Sequence, residues 1–271
     1  MRFFLWRKHH SMTVKIFRGS AVLALLGLLV SWAVHAASAD ALWNIVHQQC
    51  VPHWQQTQDP APCAALDMSQ GEPQGHAILK DIHGVLQYLL IPTARVSGIE
   101  SPLLLQTDAP DYWAAAWQAR QWMARLHGSV LPREAVALTV NSQWGRSQNQ
   151  LHIHVSCVRP ELPARLQQAG IGLQWQPLAD GINGHAYLVR AVPGETLDGV
   201  QPFRLLADEV AGASGQMGSY TLAVIATRLA DGPGFWLLAS KADVLAGNFA
   251  SSEGDVQDHD CQVLLPQPAR P

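Results

Sequence analysis

Two histidines two residues apart carry the most chemical information in this chain. They stand in Asn141-Ser-Gln-Trp-Gly-Arg-Ser-Gln-Asn-Gln-Leu-His-Ile-His-Val-Ser-Cys157. The second half of that stretch alternates polar and apolar residues. Strand periodicity puts Gln150, His152, His154 and Ser156 on one face and sends Leu151, Ile153, Val155 and Cys157 into a core. The two imidazoles then stand side by side. The first half, with Gly145, Arg146, Ser147 and Asn149, reads as a donor-rich turn feeding the strand. Such donors beside paired imidazoles suit an anionic, phosphorylated ligand.

The plainest reading is two histidines hydrogen-bonded on a partly exposed strand, with the loop of donors beside them a coincidence. As metal ligands, His at i and i+2 of a strand could chelate, with a third ligand among His76, His83, His185 and His259; nothing in the sequence marks which. His154-Val-Ser156 also fits the His-x-Ser/Thr element of two-histidine phosphoesterases. Its second copy would have to be His127-Gly-Ser129, at a predicted helix end. A histidine nucleophile attacking phosphorus uses the whole stretch. A neutral imidazole attacks near neutral pH while a hydrogen bond to its other nitrogen fixes the tautomer. The neighbouring imidazole, protonated, donates to the phosphoryl or leaving oxygen, and donors at Gly145–Ser147 cradle the phosphate. That chemistry calls for no metal and no cofactor.

The elements that must position these residues read as an α+β chain. A helix runs from Ala41 to about Gln49, followed by a Pro- and Gln-rich loop. Strands at Ala77–Leu79 and Val85–Ile91 flank a turn at His83-Gly84. A helix follows, with Asp108 as its cap, Pro110 in the first turn and Gly128 as its stop. Its stripe of Trp113, Trp117, Arg120 and Ala124 reads as core packing. Ala135–Val140 is a strand whose antiparallel neighbour is Leu151–Val158. Then come a helix at Pro160–Gln168, a strand at Gly184–Val192, a helix at Pro202–Val210, and a hairpin of Tyr220–Arg228 with Phe235–Ser240. Gly75-His-Ala-Ile-Leu79 recurs as Gly184-His-Ala-Tyr-Leu188. This is either chance over five residues or the trace of a degenerate duplication, and the second half holds no further His-x-His. The resulting division is 1–40 as a targeting segment, 41–75 as helix and loop, 76–170 as the catalytic half and 171–265 as a C-terminal α+β half.

Arg2, Arg7, Lys8, Lys15 and Arg18 precede the apolar run Ala21–Val34, and Ala36-Ala37-Ser38-Ala39 follows it. A basic start, a run of about 14 apolar residues and small residues of A-x-A type fit a secretory signal; counted to Ala39, the run nears the lower limit for a membrane span. In both cases the bulk of the chain is extracytoplasmic. Four cysteines suit that compartment. Three connectivities exist, of which Cys50–Cys63 with Cys157–Cys261 is favoured. Zinc pairs of CxxC type are absent. The chain has 271 residues, 48% of them hydrophobic, 14% charged and with a formal charge of −3, which permits a large core and argues against a nucleic-acid partner.

Gln150-Leu-His-Ile-His-Val-Ser156 resembles the histidine-triad signature, His-φ-His-φ-His-φ-φ, with Gln at its first place. Asn141 with Gly145-Arg-Ser147 is similar to that superfamily's phosphate-binding lead, and Leu86–Thr93 to its strand ending in Ile-Pro. More closely, the chain resembles the membrane-associated CDP-diacylglycerol pyrophosphatases of Gram-negative bacteria. The matching pieces are the N-terminus, Cys50 with Pro62-Cys63, Leu79-Lys-Asp81, Leu86–Thr93, Glu100-Ser-Pro102, Asn141–Cys157 and Gln257-Asp-His-Asp-Cys261. The resemblance implies a histidine-triad-like fold and hydrolysis of the membrane lipid CDP-diacylglycerol to CMP and phosphatidate. It implies His152 as nucleophile, forming a nucleotidyl intermediate, with His154 on the leaving-group side. Asn141, Gly145 and Ser147 match phosphate-binding positions, and Arg146 and Lys80 are further candidates for the diphosphate. Gln150 replaces a histidine and cannot relay a proton. If Cys261 pairs with Cys157, His259 is drawn toward the catalytic strand. The implied location is the inner membrane, single-pass, with the catalytic domain in the periplasm.

Overall fold

Apolar runs too short or too evenly alternating for helices build a sheet. The computed structural model describes residues 39–265, and among these ten strands form one antiparallel sheet. The first half supplies β1 (Ala65–Asp67), β2 (His76–Lys80), β3 (Tyr88–Pro92), β4 (Val136–Val140) and β5 (Ile153–Val158). The second supplies β6 (Gln176–Pro177), β7 (Leu188–Pro193), β8 (Tyr220–Leu229), β9 (Gly232–Lys241) and the short β10 (Gln257–Asp258). The strand order is β1-β2-β3-β5-β4-β8-β9-β7-β6, with β10 paired to the end of β5.

The helices are α1 (Ala41–Ile45), α2 (Val51–Thr57), α3 (Tyr112–His127), α4 (Leu162–Gln168), α5 (Pro202–Glu209) and α6 (Ser252–Val256); a π-helical turn, Val46–Cys50, joins α1 to α2. On one face of the sheet, α3 and α5 pack Trp113, Trp117, Phe203 and Leu206 against Leu90, Leu138, Val155, Val224 and Leu237. On the other, α1, the π-helical turn and α2 bury Leu42, Val46 and Val51 over Ala77, Leu79, Leu89 and Ile91, while α4 covers the C-terminal strands with Leu162 and Leu166. His154 pairs directly with Leu89 and with Thr139, so it points to this second face, where one apolar cover ends and the other begins.

Both favoured disulfides are present, Cys50–Cys63 and Cys157–Cys261. The expected helices and long strands are found, with shifted ends. Asp111, not Asp108, caps α3: its carboxylate accepts from Ala114 N at 3.0 Å, and Gly128 closes the helix in the left-handed conformation. Asp111 also accepts from Gly199 N at 2.9 Å. An Asp111→Ala variant should therefore lose about 1–2 kcal/mol, read from denaturant midpoints. Within the tryptophan stripe, Trp113, Trp117 and Met123 are buried, whereas Leu126 is exposed. The expected strand from Val85 begins only at Tyr88. β1, β6, α6 and β10 escape sequence reading because each is only two to five residues long, too short for its pattern to repeat twice. The apolar run Ala21–Val34 and the targeting segment it defines lie outside the described residues, within which no helix is long and apolar enough to cross a membrane.

Candidate active site

His152 ends the loop that follows β4, one residue before β5, and His154 is the second residue of β5. Both rings are buried, their centroids 4.8 Å apart and their planes inclined at 69°. His152 Nδ1 lies 2.7 Å from the Gln150 carbonyl oxygen, which can only accept. The ring proton is therefore on Nδ1, and Nε2 carries a free lone pair. Burial, with His154 beside it, pulls the His152 pKa down to about 4. The ring is neutral at pH 7.

His154 sits among several polar groups. Its Nδ1 lies 3.1 Å from Gln87 Nε2, 3.3 Å from Glu253 Oε1 and 3.9 Å from Asp81 Oδ2. Nδ1 therefore faces carboxylate oxygens, which only accept, and the Gln87 amide, whose two hydrogens are shared with Asp81 and Glu253; in the protonated ring Nδ1–H donates toward Glu253 and the second proton sits on Nε2. His154 Nε2 is buried without a hydrogen-bond partner among the described residues. Burial lowers the His154 pKa, opposed by Glu253 and Asp81. An anion arriving at Nε2 adds to the two carboxylates and favours the protonated ring. Asp81, His154 and Glu253 bring three ligand atoms within 4.8 Å of one another, a spacing a cation could bridge. Here the Gln87 amide donates into that trio, reaching Asp81 Oδ2 at 2.8 Å and Glu253 Oε1 at 3.1 Å.

Both histidines line a cavity of about 290 Å³ together with Lys80, Asp81, His83, Asn141, Gly145, Ser147 and Glu253; Leu42, Ile45 and Leu89 form an apolar wall. Asn141 ends β4 and is tied to α6: its Nδ2 donates to Glu253 Oε2 at 3.0 Å, and its Oδ1 accepts from Glu253 N at 3.2 Å. Gly145 passes so close to residues 249–251 that a Cβ would lie 3.0 Å from the Phe249 and Ala250 carbonyl oxygens. A side chain there would push the 249–251 segment back by a few tenths of an ångström.

Three expected site residues are used otherwise. The Gln150 side chain turns away from the histidines, donating to the Pro92 and Ala94 carbonyls at 2.9 and 2.8 Å and accepting from Val96 N at 3.3 Å. What it offers His152 is its main-chain oxygen. Arg146 is held in a two-pronged pair with Glu100, at 2.6 and 2.8 Å, and is not among the cavity's lining residues. Lys80 lines the cavity with its Nζ bonded to the Asp81 and Gly84 carbonyls. His259 does arrive: β10 pairs with Cys157 and Val158, and His259 Nε2 lies 3.8 Å from Glu253 Oε1. Of the other histidines, His83 reaches the cavity, His185 is bonded to Asp255 at 2.8 Å and His127 to Ser129 at the exposed end of α3. Gln87, Asp81 and Glu253 were not singled out in the sequence. A polar Gln inside the apolar run Val85–Ile91 was the one available signal; Glu253 had none.

The depressed His152 pKa has a consequence for stability. An unfolded histidine takes up its proton near pH 6.5, the folded one near 4, so between these values unfolding binds a proton. Stability from this group is therefore complete above about 6.5 and falls as pH drops toward 4, by about 3 kcal/mol. In a His152→Asn variant the difference between pH 7 and pH 4 unfolding free energies should shrink by about that amount.

A family model described as CDP-diacylglycerol pyrophosphatase matches residues 37–265. A Yersinia pestis protein named CDP-diacylglycerol pyrophosphatase is 46% identical over 245 residues, covering 90% of this chain and 92% of that protein. The match takes in both disulfides, the histidine strand and α6 with Glu253; the chain belongs to the CDP-diacylglycerol pyrophosphatase family.

Proposed function

We propose that this chain hydrolyses CDP-diacylglycerol to CMP and phosphatidate, with His152 as nucleophile. The observation that carries the mechanism is the bond from His152 Nδ1 to the Gln150 carbonyl, which leaves a bare Nε2 on a ring lining the cavity. The Nε2 lone pair attacks the phosphorus bearing cytidine, and the bond to the bridging anhydride oxygen breaks. Phosphatidate departs with the Nε2 proton of the protonated His154 ring, which becomes neutral with Nδ1–H held toward Glu253, and CMP remains joined to His152. Water then attacks the same phosphorus, its proton returns to His154, and cleavage of the N–P bond restores neutral His152. Glu253 and Asp81 keep His154 basic enough to change hands with the proton, and Gln87 orients its ring. Asn141, Gly145 and Ser147 line the side where the phosphate oxygens would rest.

The histidine-triad-like fold and a duplication are supported by topology. Order β2-β3-β5-β4 in the first half matches β6-β7-β9-β8 in the second, with α3 and α5 at equivalent places on one face, and β4 and β8 meet antiparallel at the centre. In that matching β2 corresponds to β6, whereas the second Gly-His-Ala copy lies in the turn ahead of β7, so the shared pentapeptide does not support the duplication. The two disulfides and the basic-apolar N-terminus support export to the periplasm. An uncleaved Ala21–Val34 would hold the enzyme in the inner membrane beside its lipid; a purified protein whose first residue is Asp40 would end that part of the reading.

CMP release from CDP-diacylglycerol in detergent, with and without EDTA, tests the reaction. Release unaffected by EDTA is expected. Release abolished by EDTA would transfer the chemistry to the Asp81–His154–Glu253 trio, and no release would sink the assignment.

A further inference from the structure

Beside the cavity lies a set of apolar side chains that the protein itself leaves uncovered, on loops adjoining its lining residues Asp81 and Gly145. Ile82 lines the cavity on one side and is 92% exposed. Trp144 and Phe249 are 54% and 49% exposed, and these are the two largest apolar side chains left in solvent among the described residues. Both stand on neighbouring loops: the Ser142 hydroxyl donates to the Phe249 carbonyl at 2.6 Å and accepts from Trp144 N at 3.0 Å. The turn leading into Phe249, closed by the Asp243–Asn248 bridge, presents Val244 and a fully exposed Leu245.

The same rim is where the described chain begins. The Ala39 carbonyl accepts from Asn149 N at 2.7 Å, in the loop that delivers His152. Ala39 stands only five positions beyond Val34, the end of the apolar run, a reach of about 17 Å at full extension. A run seated in a bilayer would therefore hold this mouth, rather than another face, against the lipid surface. We infer that the rim formed by Ile82, Trp144, Phe249 and the Val244–Leu245 turn inserts into the bilayer interface, so that a lipid diphosphate enters the cavity without leaving the membrane. Aromatic and aliphatic side chains without basic ones make such binding apolar in character and weakly dependent on salt.

This inference rests on the lipid-substrate reading, and its test separates the two. The full chain carrying Leu245→Trp is reconstituted in phosphatidylcholine vesicles; Leu245 is wholly exposed, so the change disturbs no packing. The added emission, taken as the difference from wild type, should be blue-shifted and quenched by lipids brominated in their chains. Emission at the wavelength of a water-exposed indole overturns the inference. So does a blue shift without bromine quenching, which would mean that the rim packs on a second copy of the chain. In a kinetic arm, Leu245→Glu should lower CMP release from vesicle-borne lipid by ~10-fold and leave cleavage of a water-soluble CDP ester unchanged. Equal rates for both proteins on both substrates also overturn it. Absence of cleavage by wild type defeats the catalytic reading alone, since the fluorescence result needs no turnover.

Discussion

Replacing His152 with alanine should lower CMP release from CDP-diacylglycerol by about 10⁴-fold or more, with the fold intact. On the proposed mechanism the alanine removes the atom that bonds phosphorus, and what remains is the cavity's capacity to hold substrate. His154→Ala should cost less, roughly 10²–10⁴-fold, because a solvent water can still protonate the leaving phosphatidate. The two variants should also differ in kind. Wild type quenched in alkali, where an N–P bond survives, should carry labelled cytidylate on His152, and His152→Ala should carry none. His154→Ala should still form some adduct, since its nucleophile remains. A His152→Ala enzyme within tenfold of wild type would remove the nucleophile assignment and leave the carboxylate–histidine trio as the place to look. The pH dependence follows from the same burial. With the His152 pKa drawn down to about 4, kcat/KM should hold its acid limb near that value rather than near 6.5.

Loss of the Cys157–Cys261 disulfide should be the largest single stability change available short of the core. The bond closes a loop of 104 residues, for which the chain-entropy account gives about 4–5 kcal/mol. Cys50–Cys63 spans 13 residues and should contribute about 3 kcal/mol. The longer bond has a second effect. It sits at the end of the catalytic strand and holds β10, which pairs with Val158 and Cys157 and is preceded directly by α6. Gln257 reinforces this, donating to the Ala137 and His154 carbonyls at 2.8 and 3.1 Å. A Cys157→Ser/Cys261→Ser variant should therefore lose activity at temperatures where it is still folded, because Glu253 is no longer held at His154. The corresponding Cys50→Ser/Cys63→Ser variant should lose stability with little change in kcat. Thermal unfolding together with kcat below the transition separates the two outcomes; identical kinetic behaviour of both pairs would refute the positioning role.

Local pattern was enough to place the histidine strand, its apolar reverse face, the donor-rich loop ahead of it and most of the long helices and strands. These features repeat every two or 3.6 residues, so each residue's neighbours in sequence already carry the information. Cysteine count and spacing favoured, without fixing, the pairing that is found. The partners of His154 were beyond that kind of reading. Gln87 and Glu253 meet 166 residues apart in sequence, across strands β3 and β5 and a five-residue helix too short to show a period. Arg146 and Gln150 were legible as polar residues in the right stretch, yet their roles were settled by Glu100 and by the backbone at 92–96, partners that come near only when β3 and β5 pair. Side-chain chemistry is a property of residue type and can be listed from the chain. Which nitrogen is bare, which carries a proton and which cation is already paired depend on burial and on distances of about 3 Å, and those exist only once the sheet has closed.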